Sequence, residues 1–337
     1  MSVPAANHIA IRADGLCRDY EYYEKSEGLK GSVKNLFHKK ILKKNAVKNL
    51  SIEIEEGSIV GFIGLNGAGK TTTLKMLSGL LEPTSGQLSV LGYYPFQKKN
   101  EFLKQISLIM GNKSQLWWDI PAIETFRLNK TIYEIDDKIY KDNLEKLVDA
   151  LDVKDKLNIQ VRRLSLGERM KMELIASLLH NPKVVFLDEP TIGLDILSQY
   201  AIRNFLKEYN ELTKATIILT SHNFDDIISL SKQLLLINSG EIIYSDTFHS
   251  FQTRFSEKKI VTLKFKQLEH SVVDIFTQRG YQVKINENEN ILQINTDNNG
   301  YANTIELMQV VSNYHEYLLD MNIENISMEE IVRNIYV

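Results

Sequence analysis

The sequence predicts an α/β protein in which helices cover a mostly parallel sheet, followed by a small second domain. From about Ser51 to Ile237, apolar β-rich runs alternate with segments of helical periodicity, as expected for strands joined by helices. Between Phe96 and Leu164 the pattern is mainly helical, which indicates an inserted helical subdomain at about residues 96–165. Strands and helices start again after Phe255. We therefore predict a first domain over residues 1–255 and an α+β accessory domain over residues 256–337.

The individual elements follow from hydrophobic period and turn residues. In the first domain we predict strand Ile59–Ile63, helix Lys70–Leu77, strand Val184–Leu187, helix Ser198–Leu212, strand Thr216–Thr220, helix Phe224–Leu230 and a hairpin of Leu234–Asn238 and Glu241–Tyr244 turned at Ser239-Gly240. In the second we predict strand Ile260–Phe265, helix Glu269–Arg279, strands Gln282–Asn286 and Ile291–Asn295, helix Tyr301–Ser312 and a last segment Met328–Ile335.

One segment of the first domain is strongly basic. Residues Glu24–Lys48 carry eight lysines around the pair Leu36-Phe37. A basic amphipathic stretch can bind anionic lipid or a partner helix. Charge runs also mark solvated surfaces, so a surface insertion over residues 24–48 is the alternative interpretation.

Composition limits the classes of function. The formal net charge of −3 gives no general attraction to nucleic acid, and no nucleic-acid partner is expected. Cys17 is the only cysteine, so we expect a reducing compartment and no intramolecular disulfide. Met1–Asp14 lacks the apolar core of a signal peptide, and the longest apolar runs are far shorter than the roughly 20 residues of a membrane span. We expect a cytoplasmic protein whose membrane role depends on another polypeptide.

The strongest local signal is a phosphate-binding loop between a predicted strand and a predicted helix. It matches the G-x-x-x-x-G-K-[ST] pattern completely, as Gly64-Leu65-Asn66-Gly67-Ala68-Gly69-Lys70-Thr71. Its glycines let backbone N–H groups converge on phosphate oxygens, and the helix start adds its positive dipole end. We predict that Lys70 contacts the β- and γ-phosphates, Thr71 ligates Mg²⁺ and Thr72 contacts the α-phosphate.

A second signal is a pair of acids at the end of the buried strand Val184–Leu187. Acids in this position suit a ligand site at the carboxyl edge of an open α/β sheet. We predict that Asp188 holds Mg²⁺, directly or through a water, and that Glu189 orients or deprotonates the water that attacks the γ-phosphate. His222 follows another predicted strand. Its position makes it a candidate γ-phosphate contact, although a lone histidine is more often structural.

The segment that distinguishes this chain from other phosphate-loop proteins is Leu164-Ser165-Leu166-Gly167-Glu168, directly before the helical run Arg169–His180 and the acid strand. It resembles the signature sequence of ABC ATPases. The resemblance implies that Ser165, Gly167 and the helix N-terminus, together with Glu168, bind the γ-phosphate of a nucleotide held by an opposite subunit. A Ser-x-Gly at a helix start is an anion-binding arrangement on physical grounds as well.

Further positions follow the order of that family. Gly193-Leu194-Asp195 is similar to the loop that contacts the partner's phosphate-binding loop, and His222 matches the switch histidine. Tyr20 lies where the family stacks an aromatic ring on adenine. Tyr22 and Tyr23 are close enough in sequence that the choice of ring stays open.

The resemblance covers roughly Ala10–Phe255, and one stretch points to a branch of the family. Lys113–Pro121, with Trp117 and Trp118, is similar to ATPases paired with ABC-2-type exporter membrane subunits, as are the basic insertion and the C-terminal domain that closes on Met328-Glu329-Glu330. Exposed indoles are costly, which favours a membrane-subunit groove as their partner. The alternative is that both indoles pack inside the helical subdomain.

Two positions depart from the family pattern. Gly111-Asn112 stands where the family has a glutamine that contacts Mg²⁺ and water, so Asn112 is a metal candidate and Gln115 a possible substitute. Glu168 stands where glutamine is usual. If Glu168 points toward phosphate, repulsion weakens closure of a dimer; if it points to solvent, the cost is near zero.

Together these features predict an ATPase that uses ATP and Mg²⁺ and dimerises, as homodimer or heterodimer, to drive export through ABC-2-type membrane permease subunits. Two alternatives stay open: an ABC ATPase that acts on ribosomes or DNA, and a degenerate nucleotide-sensing subunit of a heteromeric transporter.

Overall fold

The computed structural model describes residues 8–23, 41–111, 113–221, 224–255, 259–296, 300–314, 316–325, 331–332 and 335. The chain divides into two compact units, Met1–Asp246 and Thr247–Val337. The predicted boundary after Phe255 is therefore one helix too late. The helix Phe248–Phe255 directly follows a strand, so no Gly- or Pro-rich linker marks the boundary in the sequence.

The first unit consists of strands and helices that alternate along much of the chain. Its strands are β1 (Ile9–Tyr23), β2 (Ile41–Glu55), β3 (Ile59–Gly64), β4 (Ser85–Val90), β5 (Ile106–Met110), β6 (Val184–Asp188), β7 (Thr216–Thr220), β8 (Gln233–Asn238) and β9 (Glu241–Thr247). Its helices are α1 (Lys70–Leu77), α2 (Asn100–Leu103), α3 (Ala122–Ile132), α4 (Asp137–Leu151), α5 (Leu166–Leu178), α6 (Ile196–Thr213) and α7 (Phe224–Leu230).

A six-stranded sheet in the order β5-β6-β7-β3-β8-β9 forms the centre of this unit. The pairs from β5 to β8 are parallel, and β6 and β7 are buried along their whole length. Strands buried on both faces lack polar alternation, which explains the continuous apolar runs of the sequence. The predicted hairpin turn has φ of 49° at Ser239 and 89° at Gly240, the positive values that tight two-residue hairpins require.

A three-stranded antiparallel sheet, in the order β2-β1-β4, lies beside the core. It corrects the prediction of a basic insertion over residues 24–48, because residues 41–48 belong to β2 and Tyr20 pairs with Lys44. Lys43 and Lys44 are exposed on this strand, before the buried Ala46 and Val47, and Lys43 Nζ lies 3.3 Å from Glu21 Oε1. Residues 24–40 lie outside the described part of the chain.

The helical subdomain begins later than residue 96. Strand β5 belongs to the central parallel sheet, so the helical part follows Met110 and contains α3 and α4. Helix α4 is capped by Asp136, whose carboxylate accepts from the backbone nitrogen of Lys138 at 2.8 Å. Among the described residues, no helix is long and apolar enough to cross a bilayer.

The second unit has a β-α-β-β-α-β order. After α8 (Phe248–Phe255) come β10 (Lys259–Phe265), α9 (His270–Gln278), β11 (Gln282–Asn286), β12 (Ile291–Asn295), α10 (Gly300–Ser312) and β13 (Leu318–Asn325). The sheet order β11-β12-β10-β13 with antiparallel pairs is that of a ferredoxin-like domain.

Apolar residues of β10 and β12 and of both long helices form the core of this unit, among them Val261, Leu263 and Phe276. Strand β13 is absent from the sequence prediction because its pattern, half-buried residues between exposed polar ones, carries a weak apolar signal. Most of the predicted end segment Met328–Ile335 lies outside the described residues.

Candidate functional site

The phosphate-binding loop joins the buried strand β3 to helix α1. Gly69 is the N-cap of α1 with φ of 115°, a conformation that L side chains rarely adopt. A Cβ on Gly69 would lie 2.6 Å from the carbonyl oxygen of Ala46, so space excludes a side chain as well. The motif therefore needs glycine at position 69, because only glycine lets α1 begin so close to strand β2. The first N–H groups of α1 have no acceptor within the helix and can bind an anion.

Lys70 is buried in the loop that it serves. Its Nζ donates to the carbonyl oxygens of Gly64 at 2.6 Å and Leu65 at 3.2 Å. Burial lowers the pKa of the Lys70 ammonium, and the nearby carboxylates of Glu189 and Asp188 oppose that shift. The Lys70 ammonium is thus held over the loop by these two carbonyl oxygens. A phosphate bound there would replace them as its hydrogen-bond acceptor.

A cleft opens over this loop. Six residues of the loop and first helical turn line it: Asn66, Gly67, Gly69, Lys70, Thr71 and Thr72. Tyr20 from β1, Lys44 from β2 and Glu189 complete the walls. The remaining predicted loop residues shape the turn: Leu65 is exposed, Ala68 is buried, and the Ala68 nitrogen donates to Leu65 at 3.0 Å.

Tyr20 is the aromatic residue that the structure brings to the cleft. Its ring is 36% exposed, and the guanidinium carbon of Arg18 lies 5.0 Å from the ring centroid. Tyr22 is more exposed, at 49%, and does not line the cleft. Lys44 is a lining residue that the sequence prediction missed, since its role depends on the pairing of β1 with β2.

Asp188 and Thr71 meet at the carboxyl edge of the sheet. The Thr71 hydroxyl donates to Asp188 Oδ2 at 2.8 Å and lies 3.1 Å from Oδ1, and Asp188 is buried. A hydroxyl and a carboxylate are hard oxygen donors of the kind Mg²⁺ takes. These two residues therefore fit the predicted metal site, with Thr71 in the lining of the cleft.

Glu189 follows Asp188 with φ of 57°, a left-handed conformation that is uncommon outside glycine. Its backbone nitrogen donates to Thr220, which ends β7, and its side chain faces the cleft. The structure thus brings Glu189, Lys70 and Thr71 together as predicted from the motifs. His222 lies outside the described residues.

The candidate metal residues after β5 are not assembled in this way. Asn112 lies outside the described residues. The side-chain nitrogen of Gln115 donates to the Leu108 carbonyl at 2.7 Å, and Gln115 does not line the cleft. Gln115 as a substitute metal ligand therefore stays a prediction, because the bond to Leu108 uses the side-chain nitrogen and not the amide oxygen that would ligate a metal. Gly111 is in direct contact with the end of the acid strand, because its backbone nitrogen donates to the Asp188 carbonyl oxygen at 2.8 Å.

The predicted signature begins helix α5 with Ser165 as its N-cap. Glu168 N donates to Ser165 Oγ at 3.2 Å, and Ser165 N donates to Glu168 Oε2 at 2.9 Å, which is a complete capping box. Lys156 Nζ lies 3.4 Å from the other carboxylate oxygen. The backbone bond from Ser165 is the main cause that lowers the pKa of Glu168.

Glu168 therefore has a different role from either alternative considered for it. Its two carboxylate oxygens have partners within the chain, the backbone nitrogen of Ser165 for one and Lys156 Nζ for the other. The sequence pattern S-x-x-E contains this signal, and it could have been recognised as a cap. Ser165, Gly167 and Glu168 do not line the cleft over the phosphate-binding loop.

Both indoles are on the surface. Trp117 is 61% and Trp118 is 54% exposed, so the alternative in which they pack inside the helical subdomain is wrong. The guanidinium carbon of Arg169, on α5, lies 4.8 Å from the Trp118 ring centroid. The stretch before the indoles is bound to the same helix, as Glu173 Oε1 accepts from the Gln115 nitrogen at 3.0 Å.

Two buried polar clusters near the site were not predicted. Glu173 accepts from the Ser114 hydroxyl and from the backbone nitrogens of Gln115 and Leu116. Asp226 is fully buried and accepts from three side chains, which are Thr191, Ser221 and Arg203. Burial of an acid is not visible in a single sequence unless its partners are known, which is why neither cluster was found.

Comparison with known proteins adds independent findings. Residues 47–192 match the family described as ABC transporter. The chain is 34% identical over 212 residues to the ABC transporter ATP-binding protein NatA of Bacillus subtilis (strain 168), covering 63% of this chain and 85% of NatA. It is 29% identical over 259 residues to the bacitracin transport ATP-binding protein BcrA of Bacillus licheniformis, covering 72% of this chain and 83% of BcrA.

Among solved structures, a dimeric ATP-binding cassette in a post-hydrolysis state, bound to ADP and phosphate, has a TM-score of 0.58. The match covers 70% of this chain and 98% of the other at 19% identity. At that identity the likeness is evidence for the fold, and it agrees with the α/β core with an inserted helical subdomain that the sequence predicts.

Proposed function

Because this chain belongs to the ABC transporter family and contains an ABC ATPase domain, we propose that two such domains close around two ATP molecules and power export through a separate membrane subunit. The chain is a nucleotide-binding ATPase subunit of a transporter, as its family membership shows. Dimer closure, Mg²⁺, the catalytic roles and the export direction are the proposal.

The first step is capture of the nucleotide by one face of the domain. Tyr20 stacks on the base, and the loop nitrogens and Thr72 bind the phosphates. Lys70 leaves the Gly64 carbonyl for the β- and γ-phosphates, which charge attraction favours. Thr71 and Asp188 would hold Mg²⁺, which would supply positive charge next to the phosphates.

The second step is attack by water. Glu189 faces the cleft beside Lys70, so its carboxylate accepts a proton from, or orients, the water in line with the γ-phosphate. His222 contacts the γ-phosphate in this proposal. Loss of that phosphate removes the contacts that favour the closed dimer, and the domains separate.

One observation supports the proposal that the domain dimerises. The residues that would complete the anion site, Ser165 and Gly167, begin a helix outside the cleft that holds Lys70 and Glu189. A helix N-terminus capped by serine attracts an anion. A second copy or a paralogue that presents its own Ser165-type helix would complete the site, in the symmetric arrangement common to dimers.

Surface features support the rest of the proposal. Trp117 and Trp118 form an exposed apolar patch next to Arg169, which suits contact with an ABC-2-type permease. BcrA is named for bacitracin transport, which supports a transport role, and the export direction rests on the similarity of Lys113–Pro121 to the exporter branch. In this proposal the subunit is cytoplasmic and binds the inner face of the membrane through the permease.

Mixing two inactive variants tests the split site directly. Lys70→Ala damages one face and Ser165→Ala the other, so a mixed dimer keeps one intact site. At equal amounts we expect about a quarter of wild-type ATPase activity, since half the dimers are mixed and each has one working site of two. Each variant alone is expected to be inactive. Lack of recovery at every ratio, with both variants folded and dimeric, would contradict the split site.

The degenerate-sensor alternative is tested by Glu189→Gln. We expect turnover to fall at least about 100-fold, with an ATP-dependent dimer visible by light scattering. Glu208→Gln, an exposed acid on α6, is the matched control and should behave as wild type. A wild-type protein with no turnover, alone or with its permease, would favour the sensor instead.

A further inference from the structure

The hydroxyl of Thr220 connects the two acid residues of the site. Thr220 Oγ1 donates to Asp188 Oδ1 at 2.8 Å, and the backbone nitrogen of Glu189 donates to the same Oγ1 at 3.0 Å. Thr220 is fully buried and does not line the nucleotide cleft. It therefore acts on the site only through its neighbours.

The backbone of Glu189 needs this support. Its φ of 57° costs free energy for a residue with a side chain, and such conformations persist where surrounding contacts enforce them. Both the side-chain and the backbone oxygens of Thr220 accept from the Glu189 nitrogen, the latter at 3.1 Å. Thr220 thus fixes the peptide that directs the Glu189 side chain into the cleft.

The hydrogen-bond capacity of the hydroxyl fits this double role. A hydroxyl has one donor and two acceptor positions. Its hydrogen goes to Asp188, which leaves its lone pairs for Glu189. Thr71 donates to Asp188 as well, and its hydrogen would stay available for that bond when a lone pair of its oxygen ligates a metal. Thr220 is the second side-chain donor, and it holds Asp188 Oδ1 from a fully buried position.

We propose that Thr220 is a positioning residue that aims the Asp188 carboxylate at Mg²⁺ and holds Glu189 in its strained, cleft-facing conformation. This proposal rests on the proposed function of the two acids. It requires a hydroxyl at position 220. Serine supplies that group, whereas valine, of nearly the same shape, does not.

The test compares Thr220→Val with Thr220→Ser. Loss of a hydrogen bond to a charged group changes an equilibrium by about tenfold to a hundredfold. For Thr220→Val we expect the Mg²⁺ concentration for half-maximal tightening of fluorescent-ATP binding to rise about tenfold, with Mg²⁺-free binding within about twofold of wild type. The kcat should fall at least tenfold, with KM nearly unchanged. Thr220→Ser should restore both within about threefold.

The matched control is Thr125→Val. Thr125 is buried on α3, and its Oγ1 has no hydrogen-bond partner within the described part of the chain. This variant should leave Mg²⁺ dependence and turnover unchanged. If Thr220→Val does not fold, Thr220→Ala replaces it in the same assays.

Asp188→Ala separates failure of this proposal from failure of the proposed function. If Asp188→Ala abolishes Mg²⁺ dependence but the Thr220 variants match wild type, Thr220 has no positioning role and the proposed function stands. If Asp188→Ala also leaves Mg²⁺ dependence unchanged, the metal assignment fails. If Thr220→Ser is as defective as Thr220→Val, the hydroxyl is not the active feature and the proposal is wrong.

Discussion

Gly167 and Ser198 are in such close contact that no side chain fits between them. A Cβ on Gly167 would lie 2.3 Å from Ser198 Oγ and 3.0 Å from Ser198 Cβ. Ser198 is in turn held by Asp195, whose Oδ1 accepts from its nitrogen at 2.9 Å. The N-termini of α5 and α6 therefore pack directly against each other, and glycine at position 167 has a steric reason besides any contact with phosphate.

This contact predicts a rescue. Gly167→Ala should lower the free energy of unfolding by about 1–3 kcal/mol, as expected for overpacking, and Ser198→Gly in the same chain should recover most of that loss. Urea denaturation of both single variants and the double variant measures the coupling. If the losses in free energy of unfolding of the two single variants simply add in the double variant, the clash is relieved elsewhere and the prediction is wrong.

The Glu168 cap predicts a pH-dependent effect. Since the pKa of Glu168 is lowered from 4.5 in the folded protein, its contribution is complete above that value and is lost as pH falls through the lower folded pKa. Glu168→Gln keeps an acceptor for Ser165 but removes the charge opposite Lys156. We expect a loss of at most about 1 kcal/mol at pH 7 that shrinks below pH 4.5. Urea denaturation at pH 7 and below pH 4.5 measures this loss in the free energy of unfolding. An equal loss at both pH values would contradict the role of Glu168 as a charged cap.

The Glu173 cluster predicts that one acid fixes the loop that carries the indoles. Glu173→Ala removes the carboxylate that accepts from the Ser114 hydroxyl and from the Gln115 and Leu116 N–H groups. Ser114 and Leu116 keep hydrogen bonds to each other, so the variant should lower stability by about 1–3 kcal/mol. The chain's two tryptophans are both in this loop, so intrinsic fluorescence should change as well. Exposed Glu145→Ala on α4 is the control. Unchanged emission together with unchanged stability would refute the prediction.

The buried Asp226–Arg203 pair predicts a strong penalty for breaking it on one side. Arg203 Nη1 lies 3.0 Å from Asp226 Oδ1, with side chains 14% and 0% exposed. Asp226→Asn should cost about 3–5 kcal/mol because it leaves a largely buried cation without its partner. The double variant Asp226→Asn with Arg203→Met removes the cation as well. Its loss in free energy of unfolding should be smaller than the sum of the losses of the two single variants. Thermal and urea unfolding measure the cycle, and an additive result would exclude coupling.

The sequence predicted what depends on local pattern. Helix Lys70–Leu77 and strand Thr216–Thr220 have the predicted bounds, because a complete motif defines the first and a run of β-branched residues, with Leu219 as the exception, defines the second. Asp188 and Glu189 were placed correctly because acids after a buried strand end at the edge of the sheet.

What escaped prediction depends on contacts between distant segments. Lys44 lines the cleft only because β2 pairs with β1. Only the folded chain shows that the side-chain nitrogen of Gln115 donates to the Leu108 carbonyl and that Gln115 does not line the cleft. The boundary between the two units was misplaced for the same reason, since a helix directly after a strand carries no compositional break.

Strand β7 lies between the strand of the phosphate-binding loop and the strand of the acids. Adjacent strands are spaced about 4.8 Å apart, so the separation of the ends of β3 and β6 is set across two ladders of hydrogen bonds. The distance from Thr71 to Asp188 depends on that separation and on the phosphate-binding loop that joins β3 to α1. Substitutions inside β7 that shift either ladder would change the width of the metal site without touching it. Variation in this strand is therefore a route by which metal preference could drift while every motif residue stays the same.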